Sequence, residues 1–367
     1  MKKIIFLLIG FLGGHLNALE LKTIAQQQFQ HPLEHIQFSP DGQTHVAIET
    51  LTNQLYIHQK GKPIWSVPLG KASTKQIEVT NHFAYALDLT NLLTQVSFSK
   101  QHISQERLKP MTYPPLAVKS GVETFGVGMK VLDATKFNQL NVDPSSLIYS
   151  RQYTLSYGSL YALTTGEVSS MFGKDTWVHV WRQRDHRLMA KRKEGGFFTS
   201  DEIHGALWLL EHQGIALVAQ GKTLIRWNFP EDETETLAEL DASIMQLDEA
   251  YFTKGRLLYT ITKNMLNVWS LKGGELADRT ANCPLKGELK AKPSFSYDGN
   301  YVILQTQHRQ TEKTQIFRLG KERCMPVNGL PENTQQAVFS PKQPIILYQV
   351  AERLTLAAFH EENQTAQ

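Results

Sequence analysis

The stretch Phe38-Ser39-Pro40-Asp41-Gly42 returns as Phe295-Ser296-Tyr297-Asp298-Gly299 and, degraded, as Phe339-Ser340-Pro341-Lys342. Serine, aspartate and glycine in this order specify a tight turn. The short polar side chains bond to nearby backbone, and glycine accepts a φ that other residues avoid. A strand-type run follows, as at Val302-Ile303-Leu304 and Ile345-Ile346-Leu347. A second recurrent element is a strand ending in an aromatic: Val178-His179-Val180-Trp181, Leu224-Ile225-Arg226-Trp227, Leu266-Asn267-Val268-Trp269 and Thr314-Gln315-Ile316-Phe317. Trp181, Trp227, Trp269 and Phe317 are spaced by 46, 42 and 48 residues.

Outside these elements the pattern is alternation without a sustained apolar period of 3.6, so short strands are expected rather than helices. Turn signals such as Lys272-Gly273-Gly274 separate them. Many short strands with self-similarity near a 40-residue period predict an all-β fold, a β-propeller of four-stranded blades. The units start near residues 35, 77, 116, 147, 205, 246, 290 and 336, giving about eight blades. Seven is the alternative, because residues 110–160 are poorly patterned. The last unit offers three strands, and the strand Leu19 to Gln26 is expected to supply the fourth and close the ring, removing exposed sheet edges. The in-phase aromatics Trp181, Trp227, Trp269 and Phe317 are expected to pack between neighbouring blades, where a flat ring fills the wedge.

The serine-proline-aspartate-glycine turn and the strand closing on tryptophan resemble WD-repeat propellers and related bacterial repeat propellers. Leu160-Tyr161-Ala162-Leu163-Thr164-Thr165-Gly166-Glu167 and Tyr85-Ala86-Leu87-Asp88 are similar to pieces of quinoprotein-like propellers. The aspartate that follows tryptophan in a WD repeat is replaced by Arg182, Asn228, Ser270 and Arg318, and the opening glycine-histidine pair is missing. The resemblance therefore implies a fold and not a partner list.

The first residues read as a signal peptide: Lys2 and Lys3, then an apolar run from Ile4 to Leu12, then Gly13-Gly14 and a small residue at Ala18. The run is short of the roughly 20 residues needed to cross a bilayer. An uncleaved amphipathic anchor is the alternative. The expected organisation is a signal peptide over 1–18, one propeller domain over 19–360 and a short polar tail over 361–367. This predicts a periplasmic or secreted protein of a Gram-negative-type bacterium, with no membrane insertion after cleavage. The net charge is +3, and loss of Lys2 and Lys3 leaves 3 − 2 = +1, too little to attract nucleic acid. One local basic stretch, Arg182, Arg184, Arg187, Lys191, Arg192 and Lys193, is a possible docking rim for a partner or simply a solvated outer strand. An acidic stretch follows at Glu231, Asp232, Glu233, Glu235 and Glu239.

Cys283 and Cys324 are an even pair, 41 residues apart, in a chain read as exported. Each follows the aromatic strand of its unit, so a disulfide between them would staple the outer strands of two successive blades.

Signals for chemistry are sparse. The sequence has no Gly-x-Ser-x-Gly elbow, Walker loop, His-Glu-x-x-His or Cys-x-x-Cys. His31, His35, His45 and His58 cluster in sequence, but they flank strands, where the spacing of His31 and His35 does not bring them together; no metal site is expected. Asp41 and Asp298 each stand alone in their turns, too few oxygens for calcium. No catalytic residue and no cofactor is expected. The function expected is a protein–protein interaction scaffold, an accessory part of an envelope or secretion assembly that binds envelope proteins. The alternative is a channel-centred enzyme or small-ligand binder of lactonase or quinoprotein type, built on Asp88, Asp133, Asp143, Asp248 and Asp298.

Overall fold

The computed structural model describes residues 19–361 except 91, 108–149, 156–159, 171–172, 183–186, 197–200, 211–212, 254 and 273–274. The signal segment, the polar tail, Arg184, Asp133 and Asp143 lie outside the described residues, as does the unit expected from residue 116.

Among the described residues the regular elements are strands gathered into seven antiparallel sheets. In chain order they cover residues 37–68, 74–107, 150–196, 203–239, 244–284, 288–327 and 334–361, here sheets 1 to 7. In sheets 1 to 5 consecutive strands are hydrogen-bonded neighbours, so the chain meanders from a first to a fourth strand and then crosses to the next sheet; sheet 6 does the same with its first strand split in two. Seven of the eight expected unit starts coincide with a sheet.

Six buried apolar layers lie between successive sheets, running from sheet 3 through sheet 7 to sheet 1 and on to sheet 2. The central strands of sheets 1, 4, 5, 6 and 7, which lie between two such layers, are therefore apolar on both faces. Ile215–Gln220 (Ile-Ala-Leu-Val-Ala-Gln) is buried over its first five residues because Leu217 faces sheet 5 while Val218 faces sheet 3.

Sheet 7 takes its outermost strand from the other end of the chain. Leu19–Gln28 pairs antiparallel with Arg353–Glu361, Leu19 opposite Glu361 and Gln28 opposite Arg353, with a register shift between Thr23 and Ala25. The chain then crosses to sheet 1, where Phe29, Leu33, Ile36 and Phe38 pack with Leu347 and Leu354 of sheet 7.

The recurrent turn joins first to second strand. In sheet 1 the Ser39 hydroxyl donates to Asp41 Oδ1 (2.6 Å) and accepts from Thr44 N (2.9 Å), while Asp41 Oδ1 accepts from Gln43 N (2.9 Å). Sheet 6 repeats the arrangement: Ser296 donates to Asp298 Oδ1 (2.6 Å) and accepts from Tyr301 N (2.9 Å), and Asn300 N donates to Asp298 Oδ1 (3.1 Å). Gly42 and Gly299 hold φ of 68° and 73°, the left-handed conformation that explains why glycine stands there. Ser340 keeps the backbone bond to Ile345 (2.8 Å) without the aspartate or glycine.

Candidate functional site

Because strands alternate in direction, first-to-second and third-to-fourth turns emerge on one side of the sheets. Second-to-third turns and the crossovers emerge on the other. Two regions draw attention: the innermost strands, and the crossover side.

The innermost strand of sheet 5, Ile244–Phe252, carries adjacent carboxylates on opposite faces. Asp248 points toward sheet 6. Its Oδ2 pairs with Lys292 Nζ at 3.1 Å and its Oδ1 accepts from Glu249 N at 2.8 Å. Lys292 reaches it because the innermost strand of sheet 6 is split. Glu288–Leu289 and Ser294–Phe295 both pair with Tyr301–His308, and the residues between them, ending in Pro293, form a bulge that carries Lys292 out of the ladder. The Lys292 side chain keeps 69% of its surface open while carboxylates surround it, as expected of a group projecting into a space lined by protein. Asp248 foremost raises the Lys292 ammonium above its ordinary value against the cost of desolvation, with Glu78 of sheet 2 and Glu249 adding to the effect. Lys292 thus stands within electrostatic reach of carboxylates on the first strands of sheets 2 and 5.

Glu249 points toward sheet 4. It accepts from Arg256 Nη1 (3.0 Å) and from the Tyr251 hydroxyl (2.9 Å), and Arg256 Nη2 donates to the Leu209 carbonyl of sheet 4 (3.0 Å). Burial first, then the neighbouring Glu249 charge, pushes the Tyr251 hydroxyl up, so it stays a proton donor. Tyr259, opposite Asp248, is likewise raised, by burial and then by Asp248. Both tyrosines therefore keep their protons at neutral pH.

Asp88 and Asp298, the other described aspartates of the channel-centred set, serve their own turns instead. Asp88 Oδ1 accepts from Thr90 N (2.7 Å), Thr90 Oγ1 (2.8 Å) and Leu92 N (2.9 Å), closing its own turn, and Asp298 closes another. Among the described residues no group of three or more His, Cys, Asp or Glu stands together for a metal.

The crossover side presents two leucines that sequence reasoning did not single out. Leu51 and Leu89 occupy the second-to-third turns of neighbouring sheets 1 and 2 and are 76% and 67% exposed. Their turns are firmly built. Glu49 Oε2 accepts from Thr52 Oγ1 (2.6 Å), Asn53 Nδ2 donates to the Ala72 carbonyl (2.6 Å), and Asp88 closes the second turn as above. Met245, at the crossover into sheet 5, is exposed on the same side. The signal was present as Leu51-Thr52-Asn53 and Leu89-Thr90-Asn91, a repeated tripeptide.

Trp227, Trp269 and Phe317 each sit on a third strand and are buried between their own sheet and the preceding one. Trp181 stands on the third strand of sheet 3, its side chain outside the described part. Of the basic stretch, Arg187, Lys191, Arg192 and Lys193 lie on the outermost strand of sheet 3, Arg187–Gly196, and Arg182 ends its third strand; of the acidic stretch, Glu233, Glu235 and Glu239 lie on the outermost strand of sheet 4, Glu233–Glu239. Arg192 bonds Glu194 (2.9 Å) and Gln220 (3.0 Å), and Lys193 pairs with Asp175 (2.8 Å). Cys283 and Cys324 form a disulfide, Cα–Cα 4.8 Å, between the outermost strands of sheets 5 and 6. The staple read from the sequence is present.

No family model matches the chain. No curated protein matches it either. Among solved structures, a chain in the crystal structure of a mitotic checkpoint complex is similar over 98% of this chain and 97% of its own, at 8% identity and a TM-score of 0.49. The Myceliophteria thermophila Cps50 (Swd1) beta-propeller domain is similar over 92% of this chain and 99% of its own, at 9% identity and a TM-score of 0.49. Likeness at that level carries no partner or chemistry across. The WD-repeat-type resemblance holds for the fold, through the sequential four-stranded sheets and the serine–aspartate turns.

Proposed function

We propose that the protein is a binding platform for other proteins, exported through its N-terminal segment, with the sheets closed into a propeller of seven or eight blades. The observation that carries this reading is the pair of exposed leucines on the crossover side. Large apolar side chains held outward by rigid, hydrogen-bonded turns on adjacent sheets are a feature of recognition surfaces rather than of a catalytic pocket. The central cluster supports it from the other direction, because Lys292, Asp248, Glu249 and Arg256 neutralise one another and present no unpaired nucleophile or base. An envelope protein is the partner proposed, following from the export reading.

The test is crosslinking in intact cells of the native producer, followed by affinity purification of a tagged chain and of its Leu51→Asp/Leu89→Asp variant. Both turns are solvent-exposed, so the double variant should fold and melt as the parent does, within about 0.5 kcal/mol. A stoichiometric partner recovered with the parent and lost with the variant supports the reading. A partner retained by the variant moves the contact elsewhere, and a partnerless parent overturns the proposal. Cell fractionation and sequencing of the mature N-terminus test export; a chain that remains in the cytoplasm defeats that part.

A further inference from the structure

His45 and His58 lie directly opposite each other on neighbouring strands of sheet 1, Thr44–Glu49 and Gln54–Gln59. Their side chains share the face of the sheet that packs toward sheet 7, where the Phe38 ring meets His45 edge-on at 5.7 Å. The two imidazoles meet at 79° with His58 Nδ1 and His45 Nε2 only 3.1 Å apart. One proton bridges the two nitrogens, and the tautomer decides which ring donates it.

We propose that this pair is a two-histidine site for a borderline transition-metal ion, copper(II) or zinc(II), with the remaining coordination positions open to water or to a partner's side chain. The argument is geometric. A metal about 2.0–2.1 Å from each of two imidazole nitrogens, at an angle between square and tetrahedral, needs nitrogens roughly 2.9–3.3 Å apart. The observed 3.1 Å falls inside that interval, so the strands need not move. Proton balance is simple. The bridging proton shifts to the far nitrogen of its own ring, leaving both imidazoles neutral with a lone pair on the metal, and no net proton is released near neutral pH. Burial already favours the neutral form of both rings. Both residues are half-buried, which restricts the orientation of their rings. With two protein ligands in place of the three or four of dedicated zinc sites, the preference should follow intrinsic affinity, copper(II) above zinc(II).

The experiment uses the full chain without a histidine tag, stripped of metal and titrated calorimetrically with copper(II) chloride and zinc(II) chloride. Copper electron paramagnetic resonance is recorded in parallel. One ion should bind per chain, two nitrogens should appear in the copper spectrum, and His45→Gln and His58→Gln should each weaken binding at least tenfold. His308→Gln, on a remote sheet, should leave it unchanged. Thermal melts establish that each variant is folded. The proposal is overturned by no binding at about 100 µM ion. It is equally overturned by a single coordinated nitrogen, or by loss in only one of the two variants.

Discussion

The Gln336 side-chain amide donates to the Leu33 carbonyl at 2.9 Å, joining points 303 residues apart in the chain. Around this bond the segment leaving the N-terminal strand is held from two sides. Phe29 N donates to the Glu352 carbonyl of sheet 7 at 2.9 Å, and the Phe29 ring stands edge-on to Tyr56 of sheet 1 at 4.8 Å. The buried Glu49 carboxylate accepts from Gln30 N and His31 N, each at 3.1 Å. The first and last sheets are thus joined by polar bonds as well as by apolar packing.

Glu49 is the acceptor on which the sheet 1 side of this junction depends. Burial would raise its carboxyl, but the hydrogen bonds from Thr52, His31 and Gln30 outweigh that and hold it below the ordinary carboxylate range. A folded-state value below the unfolded one means that Glu49 stabilises fully above the unfolded value, and that this contribution is lost as pH falls through the folded one. Glu49→Gln turns one oxygen into a donor facing other donors, and should cost about 1–3 kcal/mol at pH 7 in urea unfolding. The deficit should narrow as pH falls below the ordinary carboxylate value. A variant as stable as the parent at pH 7 would show that the carboxylate does not hold the junction.

Removing the N-terminal strand tests the same junction on a larger scale. A chain beginning at residue 31 loses the pairing with Arg353–Glu361 and the buried Leu19 and Phe29 side chains. Each such burial contributes about 1.5–3 kcal/mol. The shortened chain should melt at a lower temperature and expose an aggregation-prone edge. Equal melting of the two chains would place the strand outside the stabilising core.

The histidines predict an acid-sensitive fold. Burial, reinforced by the charge of His58, lowers His45 from 6.5 to about 3, and burial followed by Lys191 lowers His179 to about 4. Between those values and 6.5 the unfolded chain binds more protons than the folded one. Stability is therefore complete above about pH 6.5 and declines as pH falls toward 4, at up to about 1.4 kcal/mol per pH unit for each group. Metal-free His45→Gln should show a shallower decline over pH 4–6.5, with the His179 share remaining. An unchanged slope would show that His45 is not held neutral by the fold.

The Cys283–Cys324 staple should act mainly through the unfolded chain. In the chain-entropy description a loop of 41 residues gives about 4 kcal/mol when the native geometry is unstrained. The Cys283→Ala/Cys324→Ala variant should unfold at correspondingly lower urea. A loss under about 1 kcal/mol would mean that the packing of sheets 5 and 6 already fixes the crosslinked strands.

How much of this was legible depends on the range of each signal. The serine–aspartate–glycine turns of sheets 1 and 6 were readable because the serine and aspartate side-chain bonds that shape them are local, and the degraded copy at Ser340 precedes the second strand of sheet 7 in the same way. The fourth strand of sheet 7 was readable because the last unit came up one strand short. The histidine pair was missed, although 45 and 58 are symmetric about a turn centred between 51 and 52, as are Val46 and Ile57. Reading the spacing of His31 and His35 obscured the hairpin register that brings His45 to His58. The Asp248–Lys292 pair was out of reach, since it depends on a bulge whose direction no local pattern specifies. The exposure of Leu51 and Leu89 was hidden for another reason: a leucine beside a strand reads as core until the turn geometry turns it outward.

Lys292 separates a central ion pair from an ordinary surface one. Lys290, two residues away, pairs with Glu312 at 3.1 Å, with both side chains about half exposed. Such pairs contribute about 0–1 kcal/mol, so Lys290→Met should be nearly neutral. Lys292→Met removes the cation facing Asp248, a carboxylate only 18% exposed with Glu249 beside it and the Glu78 charge close by. The open side of Lys292 admits solvent screening, which keeps the expected loss near about 1 kcal/mol rather than the several expected of a fully buried pair. The more telling readout is the lysine itself. Asp248 foremost holds the Lys292 ammonium above its ordinary value, so Lys292 should deprotonate at lower pH in the Asp248→Asn variant than in the parent, visible in the carbon-13 shift of its Cε. A Lys292 titration identical in both proteins would mean that the carboxylate does not hold the ammonium.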